Sequence, residues 1–159
     1  KKGGGHKMAG GFSVIEKNIP LFRDLLIKSY EKVFKNFIAE KNLYLDSLIA
    51  PSALNEDFYN EINLLAPFGS GNKEPTFMIE NLKVLSTDII SNMHIKTLLL
   101  GMDGTSIKAY AWNGKGSVLE NYLYKSKNKK INIAGNIRLN EWQGKKEVQF
   151  NIQDISEND

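Results

Sequence analysis

Ile95-Lys96-Thr97-Leu98-Leu99-Leu100-Gly101-Met102-Asp103-Gly104-Thr105-Ser106-Ile107-Lys108-Ala109-Tyr110-Ala111-Trp112 reads as two strands joined by a short turn. Asp103-Gly104 is the hairpin signal, because both residue types tolerate the backbone angles of a tight reversal. Working outward, Phe77-Met78-Ile79 through Leu85 reads as a preceding strand and Val118 to Tyr124 as a short helix. Ile131 to Leu139 and Val148-Phe150-Ile152 alternate with the period of two that half-buried strands require. Asn140 to Lys146 is read as the loop between them.

Strand, strand, strand, helix, strand, strand in about 80 residues is the order of an OB-fold, a five-stranded barrel with its helix between strands three and four. The texture before this region is helical. Asn18 and Pro20 suit a helix start, and Phe22, Leu25, Leu26, Tyr30, Val33 and Phe37 fall on one stripe. Leu43 to Ile49 is a strand candidate, and Asn55-Glu56-Asp57 opens a helix carrying Phe58, Ile62 and Leu65 on one face. Ala66-Pro67-Phe68-Gly69-Ser70-Gly71-Asn72-Lys73-Glu74-Pro75, rich in breakers, is read as the joint between two parts. The expectation is an α+β chain with domains at 1–67 and 68–159, Phe68 anchoring the elbow between them.

The 159 residues include 42% hydrophobic and 25% charged residues, the balance of a folded domain. Cysteine is absent, which excludes disulfides, thiolate metal sites and cysteine nucleophiles. Two histidines, His6 and His94, make a histidine-rich metal centre a poor expectation, and no metal site is assigned. His94, without a carboxylate or histidine neighbour in sequence, is read as ordinary, and no catalytic triad or carboxylate pair stands out. No secretory signal and no membrane span are evident, so a reducing, cytoplasmic setting and no membrane partner are expected. Net charge is only +3, but Lys108 to Lys146 holds nine basic residues against two acids. That excess suits a polyanion or, equally, a solvated lysine-rich face.

Gly3-Gly4-Gly5-His6-Lys7-Met8-Ala9-Gly10-Gly11-Phe12 is the sharpest local signal. Consecutive glycines let backbone N–H groups converge into an anion nest, and the following His and Lys add charge for a phosphate. It is not the dinucleotide fingerprint, since Met8 stands where its third glycine would fall. Two blander readings remain beside it: an expression-linker remnant, or His6 as a helix cap.

This glycine run resembles the Gly-Gly-Gly-His signature of the DHHA1 domain in DHH-superfamily phosphoesterases. Leu65 to Pro75 resembles the Pro-Phe-Gly-x-Gly-Asn-x-Glu-Pro segment of the RecJ family of single-strand-specific exonucleases, and Leu139 to Ile155 looks like the end of that family's OB domain. Gly10 and Lys73 depart mildly from the family pattern; the Asp-His-His motif is not in this chain. The resemblance implies the C-terminal part of a 5′→3′ single-stranded-DNA exonuclease of repair and recombination, bacterial and cytoplasmic, inactive as this piece alone. It implies Mn2+ or Mg2+ held by a preceding DHH domain, which would be a partner of this part, with a single-strand-binding protein as a further partner. Facing that metal centre, Gly3, Gly4 and Gly5 would offer amides to a phosphate, His6 would stabilise charge near the scissile position, and Lys7 would assist.

On the barrel, single-stranded DNA needs cations for its backbone and flat rings for its bases. Lys96, Lys108 and Tyr110 are candidates on strands two and three. Trp142, Lys145 and Lys146 are candidates in the loop joining strands four and five. Trp112 shares parity with Tyr110, and the face that carries both is read either as barrel core or as a stacking surface, core packing being preferred for Trp112 and the choice left open. Competing functions are a non-catalytic single-strand-binding OB module, a nucleotide phosphodiesterase of the same superfamily, and a tRNA-editing accessory.

Overall fold

The structure, a computed structural model, describes residues 3–6, 9–34 and 42–157, the side chain of Trp142 excepted. The chain divides into two compact units, residues 1–42 and 43–159.

In the first unit β1 (Gly3–His6) pairs antiparallel with β2 (Ala9–Phe12), and a 3₁₀ turn at Glu16–Asn18 leads into α1 (Ile19–Phe34). Pro20 occupies the first turn of α1, where its missing N–H costs nothing. Phe12 packs on Phe22 with ring centroids 4.5 Å apart, beside a cleft of about 380 Å³. Leu21, Leu25, Tyr30 and Val33 are exposed on the helix. Phe37, expected to extend the stripe, lies outside the described residues, as does Lys7.

The second unit is built on β3 (Ser47–Leu48), α2 (Glu56–Asn63), β4 (Phe77–Ile90), β5 (His94–Leu100), β6 (Ser106–Ala111), α3 (Val118–Lys125), β7 (Lys130–Trp142) and β8 (Lys145–Glu157). Its sheet runs β3-β4-β5-β6-β8-β7, and β7 returns to pair with β4. Five strands therefore close into an OB-fold barrel with α3 between the third and fourth, as the element order implies. Alternation decides the inside: Ile95, Thr97 and Leu99 on β5 and Ile107, Ala109 and Ala111 on β6 are buried. Leu123 of α3 adds a fully buried side chain to the same core. Thr97 is satisfied there by donating to the Ser86 carbonyl at 2.9 Å.

β4 and β7–β8 depart from the simple reading. Ile79 and Leu82 are both fully buried although three residues apart, because Asn81 takes φ 58° and bulges the strand. The Asn81 N–H is held by the Asn132 side-chain oxygen at 3.0 Å. This break in parity conceals how far β4 runs, and such bulges bend a strand around a barrel. Between β7 and β8 no seven-residue loop exists. Gln143 (φ 50°) and Gly144 (φ 74°) alone make the turn, and Trp142 pairs directly with Lys145. Positive φ at both centres matches the two-residue hairpin turns that follow strand twist.

The expected joint at 66–75 lies inside the second unit, and the contacts divide the chain near residue 42 instead of 67. Asn55 caps α2 by accepting from the Phe58 N–H at 2.9 Å, and Phe58 packs on Phe77 of the barrel. Ile49, Leu54, Tyr59 and Ile62 also pack against the barrel core. Pro67 to Pro75 is laced onto the same unit: Asn72 donates to the Leu65 carbonyl at 2.7 Å, Asn136 donates to the Pro75 carbonyl at 2.6 Å, and Glu74 pairs with Arg138 through two hydrogen bonds. Phe68 and its neighbours thus belong to a strap on the barrel, and the segment is not an elbow. The strand expected over Leu43–Ile49 is reduced to Ser47 and Leu48, parallel to the start of β4.

Candidate nucleic-acid interface

Since odd-numbered residues of β5 and β6 fill the core, even-numbered ones face outward. The hairpin register sets Lys96 opposite Tyr110 and Leu98 opposite Lys108. One step beyond the Ile95–Ala111 pair, His94 comes beside Trp112, ring centroids 4.7 Å apart and edge to face. Trp112 in turn stacks on Tyr110 at 5.6 Å with the ring planes only 11° apart.

Trp112 is 51% exposed, whereas Tyr110 beneath it is 8% exposed. The preference for Trp112 in the core is thereby corrected: Ala109 and Ala111 line the interior, and the indole lies outside. His94 has a definite role in this group. Its Nδ1 accepts the Asn113 N–H at 2.9 Å, which fixes the ring just where it abuts Trp112. The sequence signal for it was the hairpin itself, since the register running from Leu100–Ser106 back to Ile95–Ala111 brings 94 beside 112.

Lys96 and Lys108 are brought onto this face, but Lys108 is ion-paired with Glu147 of β8. Glu147 is a residue the sequence reading overlooked. It lies one position beyond the basic stretch and reaches Lys108 through the pairing of β6 with β8. The ion pair raises the Lys108 pKa and lowers that of Glu147, the Lys108 hydrogen bond being the leading cause for the carboxylate. Burial pushes the Tyr110 phenol up, with Glu147 adding to the effect. Lys145 and Lys146 are exposed at the start of β8, at a hairpin end instead of within a loop. The Trp142 side chain lies outside the described residues.

In the first unit, Gly3, Gly4 and Gly5 are extended, facing Phe12, Gly11 and Gly10 across an antiparallel ladder. Successive amides of a strand point to opposite sides, so these three do not converge into a nest. His6 is exposed at the end of β1, opposite Ala9. Among the described residues no group of three or more His, Asp or Glu side chains is placed to hold a metal ion. No described helix is long and apolar enough to cross a membrane.

Comparison with known proteins bears on the barrel most directly. The family model described as "RecJ OB domain" matches residues 45–154. The chain is 25% identical over 159 residues to the single-stranded-DNA-specific exonuclease RecJ of Bacillus subtilis, covering 96% of this chain and 19% of that protein. To RecJ of Thermus thermophilus it is 29% identical over 141 residues, covering 89% of this chain and again 19% of the relative. The chain thus spans about a fifth of the length of these curated relatives. The crystal structure of Thermus thermophilus RecJ in complex with Mn2+ superposes with a TM-score of 0.69 at 24% identity, over 99% of this chain and 22% of that one. The same fold is seen in the Mg2+ complex, at a TM-score of 0.68. With a barrel of matching topology and a family model covering well over half its residues, the chain belongs to the RecJ OB domain family.

Proposed function

We propose that the barrel binds single-stranded DNA as the C-terminal part of a 5′→3′ exonuclease active in DNA repair and recombination. The observation that carries this reading is the outward group on β5 and β6: a half-exposed indole stacked on a second ring, with Lys96 and Lys108 alongside. The indole, backed by the buried Tyr110 ring, supplies the flat surface on which any base stacks, and the ammonium groups meet the phosphates between successive bases. Such contacts hold and orient a strand irrespective of sequence, which is what processing from an end demands.

The first unit is then the end of a DHHA1 domain. His6 donates to a backbone phosphate in the whole enzyme, and the extended glycines let the strand approach the hairpin closely. Hydrolysis would draw on Mn2+ or Mg2+, which activates water against the phosphodiester. On this reading the ligands of that ion belong to a DHH domain, and no chemical step is assigned to this chain.

Titration of fluorescently labelled oligothymidine, read by anisotropy, tests the interface. A stacked ring is worth about 1–3 kcal/mol per base, so Trp112→Ala weakens binding by about 5- to 150-fold. Binding within twofold of the unaltered chain would place the strand elsewhere.

A further inference from the structure

The basic face carries an acid at its centre. The Lys108 ammonium donates to one oxygen of Glu147, and the Gln149 amide donates to the other at 3.1 Å. Gln149 is itself buried, at 7% exposed, so it braces the carboxylate from below. Glu147 also feels Lys96, the second cation of the face. Both partners of the ion pair remain open to solvent, with side chains 43% and 41% exposed. A pair so exposed is weak and can be exchanged for another anion.

Resting on the proposed interface, we propose that Glu147 is a built-in competitor for the strand's phosphates, occupying Lys108 until a bound strand displaces it. The carboxylate stands in for a phosphate: it neutralises Lys108 and holds the ammonium beside Tyr110. A polyanion with no bases to stack gains little from this face, because the nearest cation is already paired. A strand whose bases stack near Trp112 has the additional free energy to take Lys108 from Glu147. Glu147 thus sets selectivity, weakening the binding of base-free polyanions more than that of strands whose bases stack. It acts through Lys108 and is a positioning residue.

Glu147→Gln keeps the shape and can still accept from Gln149 while removing the charge. Freeing Lys108 adds one phosphate contact for a strand that does not displace Glu147 by stacking. On a single strand that steepens the salt dependence by about 0.7 in log–log slope, equivalent to about 5-fold tighter binding at 0.1 M salt. The experiment titrates the full chain with oligothymidine and with a base-free deoxyribose-phosphate strand across a range of salt. The variants are Glu147→Gln, Lys108→Ala, their double variant and Trp112→Ala, with thermal melts to verify folding. Glu147→Gln is expected to tighten the base-free strand about 5-fold and to steepen its slope, while oligothymidine, which already displaces Glu147, gains less; Lys108→Ala/Glu147→Gln leaves the slope of Lys108→Ala unchanged. Unaltered or weaker binding of the base-free strand by Glu147→Gln, or an equal gain for both strands, with Trp112→Ala still impaired, overturns the role of Glu147 and leaves the interface standing. A slope that steepens equally without Lys108 also overturns it, since the effect would then be general repulsion. If neither Trp112→Ala nor Glu147→Gln changes binding, the interface itself fails.

Discussion

Gly135→Ala should damage the barrel far more than a methyl group added at an open glycine. A Cβ at this position would lie 1.9 Å from the Asn151 carbonyl oxygen, 2.9 Å from its carbonyl carbon and 3.1 Å from a ring carbon of Phe150. The first two atoms are backbone, so no rotamer change relieves them. Nor can β7 retreat, since Gly135 is paired with Phe77 of β4 on its other side and the β7–β8 register already shifts between Ala134 and Gly135. Overpacking of a rigid site costs about 1–3 kcal/mol, and a clash between two ladder backbones belongs at the upper end. For a unit of this size about 3 kcal/mol corresponds to a melting temperature roughly 10 °C lower. Tryptophan fluorescence during thermal unfolding is the assay, because both tryptophans lie in the barrel unit and report on it alone. Gly71→Ala, where an added Cβ meets nothing within 4 Å, is the matched control. If Gly135→Ala melts within 2 °C of that control (about half a kcal/mol), the reasoning about this close approach is wrong.

Two other outcomes follow from the surface. Changing Lys145 and Lys146 together to Ala should weaken oligothymidine binding and flatten its salt dependence by about 0.7 in slope for each lost phosphate contact; an unchanged slope removes the β7–β8 hairpin from the interface. Asp103 accepts the Thr105 N–H at 2.9 Å and the Ser52 N–H at 3.3 Å, and the Thr105 backbone bond is the leading cause that lowers its pKa. A lowered folded-state pKa means these bonds stabilise the turn above the ordinary carboxylate range, and the benefit fades as pH falls through the folded value. Amide exchange at Thr105 and Ser52, corrected for intrinsic rates, should therefore accelerate on acidification, and Asp103→Asn should abolish that pH dependence.

Barrel order was legible because Asp103-Gly104 pins one hairpin and the flanking strands alternate cleanly. What escaped was governed by residues whose effect is conformational or distant. Asn81 carries a bulge that no alternation rule anticipates, so β4 is longer than it reads. Gln143-Gly144 turns in two residues where polar neighbours suggest a loop. Ala109 and Ala111 hardly advertise an interior, so side-chain bulk points to Trp112 as an inward residue when the strand faces the other way. The stretch from 66 to 75 has the composition of a linker, yet Glu74 and Pro75 fasten it to the barrel through long-range hydrogen bonds to Arg138 and Asn136. The candidate site was half legible: Lys96, Lys108 and Tyr110 share a strand face by counting, whereas Glu147 arrives only through closure of the barrel.

That closure has a thin place. β6 and β8 are joined only where Ala109 faces Phe150 and Tyr110 faces Asn151, while β7 and β8 are zipped from Ile131–Glu157 to Trp142–Lys145. The barrel is therefore a stave vessel with one short rivet, and local opening is expected to start there, where the fewest backbone pairings hold the wall. Lys108 and Glu147 reach across this gap from its two banks. Their ion pair adds a solvent-exposed tie beside the two backbone pairings at that seam.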